Sequence, residues 1–437
     1  MEWTSGGGDT YTHYLIAKYA FKHPEHFLDH WGKPIFTLFA APFAQFGLKG
    51  VEAMNILSGI GAGIFAALTA KELGYKYSFL AVALTVFAPV MYMGIYSGLT
   101  EPISSLILVA GVYFYSRKKY IGGSVILSFL ILCRTELFIY FPIFILFLWW
   151  VKSLKSAPYL VAGFLLYSFI GWPHYGDFFW IITKQPYTDA SAVYGSGNFW
   201  HYAESYDQFI HQLLSVLLAV SLIRLILELI LPKFKITFQT KVELLVISLV
   251  LSFFFAHSLV WWLGAGASAG LVRVMMVIVP LIALLSLKAL EWKWLTQYKL
   301  VVLAVGCCII YTTKKVAEHL YEFPKNESLE VLAMRQLDPA LINEQLGGKN
   351  LFYYHSFLAV YLDSDPADST DGKFFFNYHF YLDDLQSGDI YIWDNHFAAR
   401  EGQTTLDMVL ESGVELIDEG AETWDGYTAE VKVFKKL

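Results

Sequence analysis

The chain has 437 residues, of which 56% are hydrophobic, 17% aromatic and 16% charged. Its mean hydropathy is +0.48. Soluble domains carry about a quarter charged residues, so this is a membrane protein's composition, and collagen-like and disordered classes are excluded. The net charge of −7 conceals two bodies: from Glu318 onward 23 residues are acidic and 8 basic, leaving 15 acidic and 23 basic before it. An acidic part of that kind lacks the basic footprint of a nucleic-acid partner.

Met1–Gly8 has neither a basic start nor an apolar run, so no cleavable signal peptide is visible. Gly6-Gly7-Gly8-Asp9 follows. The glycines allow close backbone approach to a ligand or another chain, and Asp9 either caps a helix from near Thr10 or serves as a functional carboxylate. No Lys-Ser/Thr pair follows, so this is not a phosphate loop. Lys33, in Trp31-Gly32-Lys33-Pro34, either holds a lipid phosphate or snorkels at the interface. Residues 34–47 are apolar but too short to span; Pro34 fits a first turn and Gly47 an end, which predicts a helix lying in the membrane plane.

Ten crossings are predicted at 51–70, 78–97, 101–116, 121–133, 138–151, 158–172, 208–231, 243–263, 270–290 and 298–312. About 20 apolar residues cross a bilayer core as a helix, and fewer suffice where protein shields a segment. Reading 121–151 as one long helix would scatter the lysines. With ten crossings, Lys71 and Lys76, Arg117 to Lys119, Lys152 and Lys155, Lys233 to Lys241, and Lys288 to Lys299 all fall on one side. That is the positive-inside pattern, and it places residues 1–50, loop 173–207 and the C-terminal part outside the cytoplasm. Thr100-Glu101-Pro102 reads as a capped helix start. Arg134-Thr135-Glu136 forms a hairpin tip with an internal ion pair, and Arg273 opens a span with no counter-charge nearby in sequence. Ionisable groups beside spans are expensive, and these gather at one level with His13, His30, Lys33, His174, Asp177, Glu204 and Asp207. Cys133, Cys307 and Cys308 lie in apolar stretches and carry no assigned chemistry.

From about Thr313 the pattern becomes mixed. Strands are predicted at Asn350–Tyr354, Asp389–Trp393, Val414–Asp418 and Ala429–Phe434, with a helix at Thr405–Ser412. Asp363-Ser364-Asp365 is expected to face water rather than to hold a metal. Asn326-Glu327-Ser328 is a sequon that matters only in a glycosylating compartment. The fold expected is an α-helical polytopic membrane protein of about ten transmembrane helices. Residues 1–50 form an external catalytic loop with its in-plane helix, 51–313 the transmembrane domain, and 314–437 a small extracytoplasmic α/β domain.

Taken together these residues resemble the C-type glycosyltransferases, multispanning enzymes that use polyprenyl-phosphate sugars. The likeness is to the branch of protein O-mannosyltransferases and lipid A aminoarabinose transferase. It rests on Asp9 followed by Ile16-Ala17, on Lys33-Pro34 ahead of an amphipathic helix, on Thr100-Glu101-Pro102, on Arg134-Thr135-Glu136, and on Arg273 upstream of Pro280. Two features depart from it: only eight residues precede Asp9, where the family has a span, and Thr12 stands where some relatives have arginine.

The resemblance implies an inverting transfer of a hexose or pentose, mannose-like, from a polyprenyl-phosphate donor. The acceptor would be an envelope lipid, glycan or protein at the external face of the plasma or inner membrane. Asp9 is then the base, Lys33 and Arg273 the donor-phosphate ligands, and His13, His30, Glu101 and Arg134 substrate-binding groups. A divalent metal bridging Asp9 and the phosphate is compatible with this scheme, but no ligand cluster demands one. The rival class is a transporter or flippase of lipid-linked sugars, which needs a polar path through the bilayer; Arg224 and Glu228 are the nearest such charges.

Overall fold

Proline and glycine punctuate the helices. In the computed structural model, residues 6–185, 194–231, 236–266, 268–291, 299–322, 327–368, 370, 372–375 and 382–437 are described; Asn326 of the sequon lies outside them. Helix α1 (Gly7–Tyr19) starts from Gly6, whose φ of 93° only glycine adopts readily. It therefore begins three residues earlier than expected. Asp9 sits inside its first turn, facing the positive helix end, and is not its cap. Helix α2 (Pro34–Ala44) has Pro34 in its first turn and is followed by α3 (Leu48–Glu72). Helix α2 buries Ile35, Phe36, Ala40, Ala41 and Ala44 and exposes Leu38 and Phe39.

The expected 78–97 segment is broken into Leu80–Val86 and Pro89–Gly94. Pro89 forces Ala88 to extended backbone, with φ −64° and ψ 136°. Glu101–Ser116 forms as expected. Arg134 is likewise extended, at φ −155° and ψ 122°, and it separates Tyr120–Leu127 and Leu130–Cys133 from Thr135–Ile139 and Tyr140–Trp150. Two segments flank it, not one long helix. The last apolar helix, Lys299–Glu322, continues past 312 and runs through the expected domain boundary at 313/314.

Among the described residues, five helices are long and apolar enough to cross a membrane: Leu48–Glu72, Leu154–Tyr175, Gln212–Ile230, Phe238–Leu263 and Val272–Glu291. The last is 94% buried inside the protein over its apolar window, against 22–50% for the others. A run that is apolar all round belongs at the centre of a bundle. It packs against α3, Leu80–Val86, Glu101–Ser116, Gln212–Ile230 and Phe238–Leu263. This buried run carries Arg273 at one end and Lys288 near the other.

The C-terminal part holds a five-stranded sheet of order β2-β1-β3-β5-β4. Its strands are β1 (Leu351–Tyr353), β2 (Lys373–Phe375), β3 (Ile390–Asp394), β4 (Val414–Trp424) and β5 (Tyr427–Lys436). Strand β1 runs parallel to β2 and β3, whereas β5 is antiparallel to β3 and β4. Strand β2 was not expected, because three residues give no alternation to read. The last two strands are longer than expected and join through Asp425-Gly426, both at positive φ, as a tight hairpin requires.

This domain has no separate core on the α1 side. Tyr11, Tyr14, Leu15, Ala17 and Phe36 bury with Leu332, Phe357, Leu358, Ile392 and Val431 in one apolar cluster. Asp363-Ser364-Asp365 departs from expectation here. Asp365 accepts from Lys22 at 2.8 Å and contacts His23 at 2.9 Å, and the Ser364 carbonyl accepts from the Tyr19 hydroxyl at 3.2 Å. Only Asp363 faces water.

Buried Glu327 accepts from Arg335 at 2.7 and 2.5 Å and from the Tyr11 hydroxyl at 3.3 Å. Glu327→Ala leaves Arg335 without its carboxylate against α1 and is expected to cost about 3 kcal/mol. Thermal melting of the purified protein, with proteolysis between the two parts, checks this; an unchanged melting temperature contradicts it.

Candidate active site

Five charged side chains from separate elements meet at the α1 end of the bundle. Arg273, at the start of Val272–Glu291, pairs with Asp9 and donates to the carbonyl of Gly6 at 3.2 Å. Its Nε lies 3.8 Å from Oε1 of Glu101. Arg134 reaches the same oxygen at 2.7 Å and Glu136 at 2.5 Å. The result is a chain of alternating charge, Asp9–Arg273–Glu101–Arg134–Glu136. Glu101 is 1% exposed. Burying a carboxylate that deeply is costly unless it is paired.

Local structure explains how each group arrives. Thr100 was expected to cap the Glu101–Ser116 helix, but its side chain makes no cap. Its hydroxyl instead accepts from Arg134 at 3.3 Å. The break at Arg134 turns that side chain toward Glu101. His13 lies one turn beyond Asp9 on α1, 6% exposed, with its ring 4.9 Å from Trp31 and 5.3 Å from Phe36. Burial holds its pKa near 3, so the imidazole is neutral at physiological pH. Lys33 has φ 57°, a left-handed conformation rare outside glycine, and such outliers cluster at functional sites. Burial lowers its pKa to about 8, with Glu136, Arg134 and Asp9 all within electrostatic range.

Asp9, Arg273, Glu101 and Arg134 are thus brought together, with His13 and Lys33 beside them. His30 is not part of the charge chain. Its Nε2 contacts the Trp180 carbonyl at 3.0 Å and its ring meets Trp180 at 4.9 Å. Sequence reasoning missed Tyr140, His257 and His355, whose relevance shows in their hydrogen bonding.

Buried polar atoms are nearly always paired. Among the described residues, several that are not lie around this chain of charge. They are Nδ1 of His13, Oε2 of Glu101, Nε of Arg273, the Tyr140 hydroxyl and Nε2 of His257, with Nε2 of His355 behind α1. His355 belongs to the C-terminal domain. An added Cβ on Gly8 would lie 3.7 Å from its Nε2 and 3.0 Å from Phe397. Ser356 donates to the Gly8 carbonyl at 2.9 Å. The glycines before Asp9 therefore admit the C-terminal domain to the back of the site.

A cavity of about 310 Å³ lies elsewhere, at the opposite ends of the helices, lined by Tyr75, Arg224, Glu228, Glu243 and Lys288 among others. Lys288 joins Glu228 at 2.7 Å and Glu243 at 2.8 Å. Arg224 joins Glu228 at 3.0 Å, and the Tyr75 hydroxyl donates to Glu243 at 2.6 Å. Volume points to that end and unpaired polar atoms to the other. The latter, whose groups still have bonds to make, is the candidate site. No group of three or more His, Cys, Asp or Glu among the described residues is placed to hold a metal ion.

Two crystal structures, both of ArnT from Cupriavidus metallidurans, have a similar fold. The apo form matches with a TM-score of 0.59 at 7% identity, over 99% of this chain and 94% of that one. The form bound to undecaprenyl phosphate matches with a TM-score of 0.55 at 10% identity and the same coverage. No family model and no curated protein sequence matches the chain. The fold is therefore the one these ArnT structures have, in line with the C-type glycosyltransferase resemblance of the sequence. It is the fold of a polytopic membrane protein.

Gly98 spaces the loop before Glu101 from α1. Its N–H donates to the Thr10 hydroxyl at 3.1 Å, and an added Cβ would lie 2.7 Å from the Thr10 carbonyl oxygen. Gly98→Ala is expected to destabilise by about 1–3 kcal/mol through overpacking. A melting curve matching the parent protein's would show that α1 yields freely.

Proposed function

We propose that the protein is an integral-membrane glycosyltransferase that moves a sugar from a polyprenyl-phosphate donor to an envelope lipid, glycan or protein acceptor. The positive-inside charge bias supports ten crossings, with the site and the C-terminal domain outside the cytoplasm and α2 in the membrane plane. The observation that carries this reading is the meeting of Asp9, at a positive helix end, with Arg273 and buried Glu101. ArnT with undecaprenyl phosphate bound supports the donor class.

The chemistry follows from charge. The phosphate is already a good leaving group, and it gains from cations more than from a proton. Lys33 and Arg273 supply them. An acceptor hydroxyl is a weak nucleophile and needs a base within reach. Asp9 takes the hydroxyl proton while the acceptor oxygen attacks the anomeric carbon. The bond from that carbon to the phosphate oxygen breaks, its electron pair leaves with the phosphate, and the configuration inverts. Arg273 links the two halves. A donor phosphate competes with Asp9 for the guanidinium and frees the carboxylate to meet the acceptor hydroxyl.

Asp9→Asn is expected to lower transfer at least 100-fold, the scale of a general base, with membrane insertion intact. Transfer from undecaprenyl-phosphate-linked sugars by the reconstituted protein measures it, and near-parental activity removes Asp9 from the role. Arg273→Ala should raise the donor KM.

Lys33 adds a pH dependence. With its pKa lowered to about 8 by burial, it is cationic below that pH and neutral above it. Donor affinity should therefore fall as pH rises through 8, and binding above pH 8 should take up a proton. Lys33→Arg, charged throughout, should flatten the profile. Calorimetry in buffers of different ionisation enthalpy tests this, and parental affinity that is level from pH 7 to 9.5 contradicts it.

A further inference from the structure

Arg134 divides the site. On one side are Glu101, Arg273 and Asp9; on the other, Glu136 accepts from Arg134 Nε at 2.5 Å. Around Glu136 stand groups that the reaction above does not use. Tyr140 opens the Tyr140–Trp150 helix and is 0% exposed, yet its hydroxyl has no hydrogen-bond partner. His257, from Phe238–Leu263, is half-buried with Nε2 also unpaired. The Phe253 ring lies 6.0 Å from Tyr140 and 4.3 Å from His257, and Tyr202 lies 6.2 Å from His257. Glu136 is within electrostatic range of both Tyr140 and His257.

We propose that Glu136, Tyr140 and His257 form a subsite for the hydroxyl groups of a sugar ring, next to the reacting centre. The inference rests on the glycosyltransferase reading and adds where the ring is held. A hydroxyl, an imidazole and a carboxylate provide donors and acceptors together, which a vicinal diol satisfies. Phe253 and Tyr202, both fully buried, pack around Tyr140 and His257 and hold the cluster in place. The phosphate belongs elsewhere, because Arg134 is engaged by Glu101 and Glu136 at once. The Lys288–Glu243 network, by contrast, has closed its hydrogen bonds.

Tyr140→Phe removes only the unpaired hydroxyl and keeps the ring. The full-length protein in lipid nanodiscs, and its Tyr140→Phe and His257→Phe variants, are titrated with undecaprenyl-phosphate-linked mannose and arabinose and with bare undecaprenyl phosphate. Each variant should bind the better sugar-loaded lipid about tenfold more weakly, the scale of one lost hydrogen bond to a buried group. Bare undecaprenyl phosphate should bind within twofold of the parent. If sugar-loaded lipid binding holds while the acceptor KM rises tenfold, the subsite stands and the ring it holds is the acceptor's.

Equal weakening toward both lipids would overturn the subsite, as would no change toward donor or acceptor. A parent protein that binds none of these lipids overturns the glycosyltransferase reading itself, and the subsite with it.

Discussion

The burial of Glu101 is the constraint on which the rest of the site depends. A carboxylate at 1% exposure loses its hydration, and the effective penalty is several kcal/mol even after the protein relaxes. Two arginines offset that loss, and neither comes from a neighbouring stretch of sequence. Arg134 arrives because the chain leaves helical geometry there, and Arg273 because the buried 272–291 run begins at that level. Each arginine then has capacity left over. Arg273 uses it on Asp9 and Arg134 on Glu136. The position of Asp9 is thus set by alternating charge passed from element to element. A guanidinium that presents several donors in a rigid fork suits this bridging, which a lysine would not reproduce.

The same region explains why an acidic polar domain is attached to an apolar bundle. Helix α1 is too short to stand alone and buries on both sides. One face meets α2 and the loop at Gly98; the other shares a core with the sheet domain through Tyr11, Phe357 and Leu358. The glycines at 6–8 let this happen at the one place where a side chain would interfere. At Gly6 the reason is conformation, and at Gly8 it is the contact with Phe397 and His355. The C-terminal domain is therefore part of the support for Asp9, and Ser356 holds the carbonyl immediately before it.

Much of this was legible in the sequence, for identifiable reasons. Helix starts at Pro34 and Glu101 follow from local rules, and charge bias separated the segments on either side of Arg134. Asp9, Arg273, Glu101 and Arg134 stood out because ionisable groups beside apolar runs are rare. His257 carried the same signal within Ser-Phe-Phe-Phe-Ala-His-Ser-Leu and could have been found by it. Tyr140 could not, since an unpaired hydroxyl is a fact of three-dimensional contact. Local rules also misassigned Thr100 as a cap and left Asp9 open between cap and functional carboxylate: both residues suit capping, and a tertiary partner took each side chain. The docking of Asp365 onto Lys22 and His23 joins positions more than 340 apart in sequence, beyond any local pattern.

The contrast between the two charged ends bears on what kind of membrane protein this is. Arg273 and Lys288 lie on one helical run, fifteen residues and roughly 20–25 Å apart. At the Lys288 end both oxygens of Glu243 accept from the ammonium and one also takes the Tyr75 hydroxyl, while Glu228 joins Arg224 and Lys288. Such a network is closed, and breaking any member would strand a buried charge. At the Arg273 end, charges are paired but hydrogen bonds remain to be made. Between them the run from Val274 to Leu287 is fully apolar apart from Ser286, which bonds to Leu214 and Ile282 carbonyls. Along this helix the described residues offer no polar path, which supports the proposed transfer chemistry at the Arg273 end over carriage along this run.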